Sequence, residues 1–279
     1  MYEEKLSIGI IEDVTASTTT YIKEHWGIWY FVPGLLLVII GIIGATLGLD
    51  TRLVAALPLI WFIGGYAYAH GKMSEEFMRQ FAKANGFSYA TDYPLDMEGT
   101  LFQEGHTRRA YNMVMGSFEA HPLQFFNYQF SIGFGKGKQT YFYTVCEITL
   151  PGIAPHILVE SKNFFDLKSF RKRGQKEMPM ESSFRDHFVT YAPEDFDIET
   201  FELFTPDVMV TLIDTAKGYD FEFIQNQLYI FQQKTISKRT ELNSLLTLAQ
   251  YLVTIVSPRL LRMQDDITAI HVASGNMLD

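Results

Sequence analysis

The chain has 279 residues, of which 47% are hydrophobic and 20% are charged, and its formal net charge is −9. This acidic balance argues against general nucleic-acid binding, which needs a basic surface. The single cysteine, Cys146, excludes an intramolecular disulfide and favours a reducing compartment. The N-terminus is acidic, and the first apolar run begins too late and is too long for a cleavable signal peptide.

Two apolar runs without a charged side chain follow each other at residues 28–49 and 53–69. The first has about 22 residues, enough to cross a hydrocarbon core of about 30 Å, and the second has about 17, at the short end of the spanning range. Asp50, Thr51 and Arg52 form a tight turn between them, and Asp50 or Thr51 can cap the second helix. The pattern predicts a transmembrane helical hairpin. Two core helices of a soluble protein and a re-entrant hairpin are the alternatives.

The basic residues near the ends of this hairpin predict its orientation. The turn has only Arg52, whereas the side holding both termini has Lys5, Lys23, Lys72, Arg79 and Lys83. The positive-inside rule therefore places both termini in the cytoplasm. An aromatic belt is expected at the same face, formed by Trp26, Trp29, Tyr30, Tyr66 and Tyr68.

Small residues along both apolar runs indicate close helix packing. They are Gly41, Gly44 and Gly48 in the first run and Gly64 and Gly65 in the second, and Gly44 and Gly48 have GxxxG spacing. The favoured interpretation is that the two helices pack on each other. The alternative is self-association between protomers through the Gly44/Gly48 face. No ionisable residue lies within either run, so nothing indicates an ion path.

The fold predicted after the hairpin is α+β, a soluble domain with a mainly antiparallel sheet and covering helices. Residues 1–27 are a cytoplasmic N-terminal segment, 28–70 the hairpin, 71–90 a linker helix, 91–263 the cytoplasmic α+β domain and 264–279 a C-terminal tail. The linker helix begins at an N-cap, Ser74, and ends before Gly86.

Strands in this domain are expected from the period-two alternation of Phe, Tyr, Val and Ile. The predicted strands are 97–102, 110–120, 124–134, 140–150, 156–161 and 188–191, followed by a hairpin of 221–224 and 228–231. A helix is expected after Thr205-Pro206-Asp207, and another from about 241 to 256 that ends at Pro258. The last is predicted to be a core helix, with a helix lying on the membrane as the alternative.

Several segments occur in a fixed order after the two-helix anchor: GTLF (99–102), FFDLKSF (164–170), FRDHFVTYAPED (184–195), LFTPDVMVTLID (203–214) and DFEFIQNQLYIF (220–231). In this order they resemble a family of uncharacterised bacterial membrane proteins with two N-terminal transmembrane helices and a cytoplasmic domain of unknown function. The resemblance implies a multi-pass protein of the bacterial inner membrane. It implies no activity, cofactor or catalytic residue.

Two basic segments stand out in this acidic chain. Residues 133–138, GFGKGK, have neither the helix nor the Ser or Thr that a phosphate-binding loop needs, so a hairpin loop is predicted, with contact to lipid headgroups as the alternative. The denser basic run is Lys168, Arg171, Lys172, Arg173 and Lys176. A solvated loop is the default for this run, and these residues are the candidates for contact with anionic lipid.

No catalytic constellation appears in the sequence, and no cofactor is predicted. His106, His121 and His156 lie near strand ends and are the candidates for a metal site. Cys146 lies within a strand and is expected to be buried. The predicted function is a membrane-anchored cytoplasmic binding or scaffold module whose partners are the bilayer and a protein or a second copy. The alternatives are a membrane-anchored metal-assisted hydrolase using the histidines, and an oligomeric membrane assembly.

Overall fold

The computed structural model describes residues 6–9, 11–48, 51–118, 120–162 and 175–275. The helices are α1 (Val14–Glu24), α2 (Val32–Leu47), α3 (Thr51–Ala84), α4 (Ser182–Arg185), α5 (Asp197–Leu203), α6 (Pro206–Thr215) and α7 (Arg239–Gly275). The strands are β1 (Ser88–Tyr93), β2 (His106–Phe118), β3 (His121–Ile132), β4 (Gln139–Ser161), β5 (Gln175–Glu177), β6 (Phe188–Pro193) and β7 (Asp220–Gln232). A π-helical turn, Gly27–Phe31, leads into α2.

The seven strands found among the described residues form one antiparallel sheet, which confirms the α+β fold class. The order is β1-β2-β3-β4-β6-β5, and β7 pairs with the other edge of β4. β4 is 23 residues long and organises the sheet. Its first half pairs with β3 through Leu123↔Ile148, and its second half pairs with β6 through Leu158↔Tyr191.

The alternation of side chains along the strands gives the sheet two buried faces. One face packs under α3, α6 and α7, which contribute Phe81, Leu212 and Leu252. The opposite face is rich in aromatic residues, among them Tyr128 and Tyr229, and belongs to a core that includes the short 3₁₀ turn Thr100–Gln103. The sheet is therefore covered on both sides over much of its area.

α3 is a single helix of 34 residues, about 51 Å long at about 1.5 Å per residue. The sequence predicted a membrane helix and a separate linker helix that starts at Ser74. That N-cap is wrong, because Ser74 is buried within the continuous helix and Gly71 does not interrupt it. The predicted end is confirmed, since Gly86 follows the helix in the left-handed conformation that glycine adopts without steric cost.

Three strand predictions differ from the structure. Residues 97–102 do not form a strand and instead end in the 3₁₀ turn. The predicted strands 140–150 and 156–161 are one strand, β4, with irregular pairing between Thr149 and Ile157. The predicted hairpin within 221–231 is also one strand, β7, and Gln225 takes a positive φ of 54° at an irregularity in its pairing instead of reversing the chain.

One segment boundary and one helix end also differ from the predictions. β1 begins at Ser88, inside the segment 71–90 that was assigned to the linker helix, although the helix itself ends before Gly86 as predicted. α7 continues past Pro258, which was expected to end it. The predicted core position of this helix is confirmed, because Leu242, Leu245 and Leu252 are fully buried against the sheet domain.

Candidate functional site

The helical pair α2–α3 carries a large exposed apolar surface. Leu47, Tyr68 and Trp26 are each more than half exposed, and the exposed large hydrophobic side chains extend from Trp26 to Leu47 and from Ile60 to Tyr68. Contiguous apolar surfaces of this extent are unusual on soluble monomers and mark interaction with a membrane or another protein.

Within the described residues, two helical stretches are long and apolar enough to cross a membrane, judged by length and composition. They are Gly27–Gly44 and Arg239–Met263. Half of the second stretch is buried inside the molecule, where it forms part of the sheet core. The first stretch is almost entirely exposed, so it remains the candidate for membrane association.

The helices α2 and α3 pack through a narrow stripe of side chains. A Cβ atom on Gly65 would overlap the ring of Trp29, so that glycine is needed for close approach. Pro33 and Gly44 are buried on α2. By contrast, Gly41 and Gly64 would meet nothing within 4 Å.

This arrangement separates the predicted GxxxG pair. Gly44 is buried, whereas Gly48 is exposed and ends α2 in a left-handed conformation with φ 67°. The backbone N–H of Gly48 donates to the carbonyl of Gly44. Gly48 therefore has a role in terminating the helix, and the self-association of protomers through these two residues stays a prediction.

An apolar cleft of about 510 Å³ lies between the two helices. Its walls are formed by Trp29, Pro33, Leu36, Leu37, Ile40, Ile60, Trp61, Gly64 and Gly65. The lining has almost no polar atoms, so the occupant that its chemistry favours is an acyl chain or another apolar helix.

Aromatic rings cluster where the apolar surface meets the domain. The Trp29 ring lies 6.2 Å from that of Tyr68 and 6.4 Å from that of Trp61. The Lys72 ammonium lies 4.9 Å from the centre of the Tyr21 ring. An aromatic layer followed by a cationic side chain is typical of a membrane–water interface.

The second half of α3 enters the core of the sheet domain. Phe77, Met78 and Phe81 are at most 2% exposed, and the Phe81 ring packs edge-on against Phe125 at 5.9 Å. The amphipathic pattern of this half follows from the sequence, because Phe77, Phe81 and Ala82 recur at helical spacing on one side. The apolar pair of helices and the domain are thus joined through one uninterrupted helix.

The N-terminal segment adds a second connection between these parts. The backbone N–H of Val14 donates to Ser237 O at 2.8 Å, and the N–H of Arg239 donates to Asp13 Oδ1 at 2.7 Å. The Arg239 guanidinium also donates to Gly9 O at 2.9 Å. The start of α7 is therefore held by residues next to α1.

The predicted basic run lies mostly outside the described residues. Lys168, Arg171, Lys172 and Arg173 lie outside the described residues. Lys176 lies on β5, where its ammonium pairs with Asp197 at 2.8 Å and donates to Glu194 O. Its charge is therefore partly satisfied within the protein, which weakens it as a lipid contact.

The three candidate histidines do not converge. His121 lies at the start of β3, and His106, on β2, lies opposite Ser131 near the end of β3. The two histidines are therefore roughly 33 Å apart along the strand. His121 bonds to Thr149 O, and His156 bonds to Glu222. Among the described residues, no group of three or more His, Cys, Asp or Glu side chains is placed to hold a metal ion.

A buried polar cluster around Glu222 was missed by the sequence analysis. This carboxylate is 0% exposed and accepts hydrogen bonds from Thr100 N at 2.7 Å and from Thr100 Oγ1 and His156 Nε2 at 2.5 Å each. The alternation of Glu222 with Phe221 and Phe223 along β7 predicts an acid that faces solvent, so the sequence pattern does not reveal this buried carboxyl group. The cluster ties the 3₁₀ turn to the sheet, and a Cβ on Gly99 would crowd both Phe102 and Glu222.

Two further carboxyl groups have perturbed acidity in the same domain. Burial raises the pKa of Glu147 to about 7, although the hydrogen bond that it accepts from the Tyr229 hydroxyl at 3.3 Å lowers this pKa. Burial also raises the pKa of Asp220 to about 7, and its carboxylate accepts a hydrogen bond from Ser161 N. Cys146 is fully buried as expected, and burial raises the pKa of its thiol. A raised pKa keeps this thiol protonated and unreactive.

Comparison with known proteins yields one likeness of structure. No family model matches the chain, and no curated protein matches its sequence. The crystal structure of the mycobacterial trehalose monomycolate transport factor A, TtfA, is similar at a TM-score of 0.49 and 13% identity. The similarity covers 67% of this chain and 94% of that chain.

Proposed function

We propose that the protein is a membrane-anchored binding or scaffold module. In this proposal α2 and the first half of α3 cross the bilayer as a hairpin, and the α+β domain stands on the cytoplasmic surface. The observation that carries it is the continuity of α3, which bears exposed apolar side chains from Ile60 to Tyr68 and then buries Phe77, Met78 and Phe81 in the domain.

The continuous helix sets how the domain is held. A flexible linker would let the domain move away from the surface, whereas a helix without a break transmits the orientation of the anchor to the sheet. Phe77 and Phe81 fix the rotation of α3 against the domain because both are buried in its core. A binding surface on the domain would therefore face the bilayer, or face away from it, at a constant angle.

The orientation across the membrane is supported by charge and by chemistry. Lys72, Arg79 and Lys83 follow the apolar half of α3, while the turn contributes Arg52 alone. The reduced, buried Cys146 is consistent with a cytoplasmic domain. The hydrolase alternative gains no support from the described residues, since the histidines lie apart and Glu222 is buried in structural hydrogen bonds.

A cysteine-accessibility experiment tests the hairpin. Thr51→Cys reports on the turn, and Ile153→Cys reports on the domain, where Ile153 is 66% exposed. Intact spheroplasts treated with a membrane-impermeant maleimide should label the turn cysteine and not the domain cysteine. After lysis both should react, and wild type measures the background from the buried Cys146.

Two results would overturn the proposal. Labelling of both cysteines only after lysis would show that the hairpin does not cross the membrane, as in the re-entrant alternative. Release of the protein from membranes by alkaline carbonate would show that the apolar helices are not embedded at all.

A further inference from the structure

The turn between β3 and β4, residues 133–138, forms an unusual surface feature that we call the β3–β4 tip. Phe134 is 82% exposed, the highest value among the large hydrophobic side chains of the described residues. Lys136 and Lys138 are exposed beside it, and neither lies within ion-pair distance of a described carboxylate. The tip thus combines an exposed aromatic ring with two positive charges, whereas the chain as a whole has a net charge of −9.

The tip has a defined conformation. The Phe134 ring stacks on the His106 ring, with 4.5 Å between centroids and an interplanar angle of 6°, and His106 Nε2 bonds to Gly133 O at 2.8 Å. Gly133 has a φ of 75°, and a Cβ there would lie 2.6 Å from the carbonyl oxygen of Gly137. The backbone and the histidine thus hold the aromatic ring in one outward position.

Packing of α3 on the sheet shows which way the tip points. Phe81 of α3 packs on Phe125, and a Cβ on Gly116 would overlap the ring of Phe87, so the chain that leaves α3 lies nearer the end of the sheet away from the tip. From Phe81 back to Tyr68 the helix is about 20 Å long. From Phe125 to Phe134 the chain can span roughly 30 Å. The tip and the apolar half of α3 therefore both extend away from the contact between Phe81 and Phe125.

The N-terminal segment gives the same direction independently. Leu6 and Ile8 line a small cavity with Phe118, at the end of the sheet away from the tip. The chain then reaches Val14, which bonds to Ser237, and Ile236 N bonds to Thr144 Oγ1, which lies opposite Asn127 in the middle of β3. From there α1 continues for about 15 Å, and its Tyr21 lies against Lys72 of α3, so the chain moves away from the Phe118 end of the sheet and toward the anchor.

We propose that the β3–β4 tip is a second membrane contact, in which Phe134 enters the interface and Lys136 and Lys138 bind the phosphates of anionic lipids. This inference rests on the proposed function, because it needs the hairpin in the bilayer. An aromatic ring partitions into the interface, and each lysine is attracted to an anionic surface that repels the rest of this acidic chain. The contact would fix the tilt of the domain as well as its distance from the membrane.

Probes at three positions of the full chain test this contact. Phe134→Cys, Ile153→Cys and Val38→Cys are each labelled with an environment-sensitive fluorophore and reconstituted into phosphatidylcholine vesicles with and without phosphatidylglycerol. Spin-labelled lipid should quench the Phe134 probe, more strongly in the anionic vesicles, and should quench the Val38 probe in both. The Ile153 probe, on the irregular part of β4 away from the tip, should stay unquenched.

Charge variants separate the lysine contribution. In the Phe134→Cys background, Lys136→Gln and Lys138→Gln should each weaken tip insertion into anionic vesicles about fivefold, the equivalent of about 1 kcal/mol per basic side chain. A Phe134 probe as unquenched as the Ile153 probe would overturn the membrane contact. Unchanged quenching in both lysine variants would overturn the assignment to lipid phosphates.

The Val38 probe distinguishes the two proposals. If it is unquenched, the anchor itself is outside the bilayer and the proposed function fails. If it is quenched while the Phe134 probe is not, the anchor stands and only the tip contact is wrong. A tip that binds a protein instead of lipid gives this second result in protein-free vesicles.

Discussion

Residues of the aromatic core stabilise the fold through buried hydrogen bonds as well as through packing. Glu222 accepts three hydrogen bonds inside a region packed with Phe102, Tyr128 and Tyr229. A buried carboxylate is tolerated only when such donors compensate the loss of water. Here two of the donors belong to Thr100, so this carboxyl group fastens residues 99–103 over the sheet.

The first prediction concerns this fastening. Glu222→Gln turns an amide N–H₂ toward donors that need an acceptor, and we expect it to lower the free energy of unfolding by about 2–4 kcal/mol. Thr100→Val removes one side-chain hydrogen bond and should cost about 1 kcal/mol. Urea unfolding of the detergent-solubilised chain measures both. Glu177→Gln, on the exposed side chain of β5, is the control, and a Glu222 variant as stable as that control would refute the role.

The second prediction is a pH dependence from Glu147. Its pKa is about 7 in the folded chain and about 4.3 in an unfolded one, so the folded state binds the proton more tightly. The contribution of Glu147 to the free energy of unfolding is therefore greatest below a pH of about 4.3, and it falls as the pH rises to about 7. Asp220 shifts in the same direction, from about 3.9 to about 7.

Urea unfolding at a series of pH values checks this dependence. Glu147→Gln should flatten the decline in stability between pH about 5 and 7, and Asp220→Asn should flatten it further. Parallel curves for wild type and Glu147→Gln would show that the carboxyl group ionises normally in the folded chain.

At the scale of elements, Gly65 allows the Trp29 ring to lie directly on α3. The third prediction compares two neighbours on α3. Gly65→Ala forces the Trp29 ring to move and should cost about 1–3 kcal/mol, as overpacking does. Gly64→Ala meets nothing within 4 Å and should be neutral or stabilising by up to about 1 kcal/mol through helix propensity.

Thermal unfolding in detergent, followed by tryptophan emission, distinguishes these variants. Only Gly65→Ala should shift the emission, because Trp29 lies over that glycine. Equal behaviour of the two variants would mean that the helices do not pack through Trp29.

Whether a segment is a helix or a strand was predictable where its apolar periodicity and its length indicated the same element. The ends of the elements were not predictable in this way. β2, β3 and α6 followed from alternation and from the Thr205-Pro206-Asp207 start signal. β7 was divided wrongly, because the polar residues Gln225, Asn226 and Gln227 read as a turn, while pairing with β4 continues on both sides of them. α3 was divided because Ser74 has the chemistry of an N-cap, and nothing local shows that a helix already precedes it.

The whole molecule adds contacts that no local pattern contains. The cluster of Thr100, His156 and Glu222 joins residues far apart in the chain, and the alternation along β7 predicts an acid in solvent there. Likewise, the link between Asp13 and Arg239 spans most of the sequence. Such contacts depend on how the strands are ordered, and the ordering around the long strand β4 was not deducible from alternation.

The fourth prediction tests whether the N-terminal segment stabilises the domain. Asp13 Oδ1 accepts from the Arg239 N–H at the first turn of α7, the role that an N-cap side chain normally fills from within the same segment. Asp13→Ala should therefore lower the stability of the sheet domain by about 1 kcal/mol, although Asp13 lies next to α1. Glu12→Ala, which removes an exposed neighbour bonded to Ser17, is the matched control and should change stability by less than about 0.5 kcal/mol.

Hydrogen exchange gives the sharper measurement for this pair. Loss of the cap should speed exchange in the first turn of α7 and in residues 11–14 together, because Val14 N donates to Ser237 O across the same contact. Faster exchange confined to the N-terminal segment would show that α7 begins independently of it. In that case the domain would be held to the anchor through α3 alone, and the orientation of its covering helix would not depend on α1.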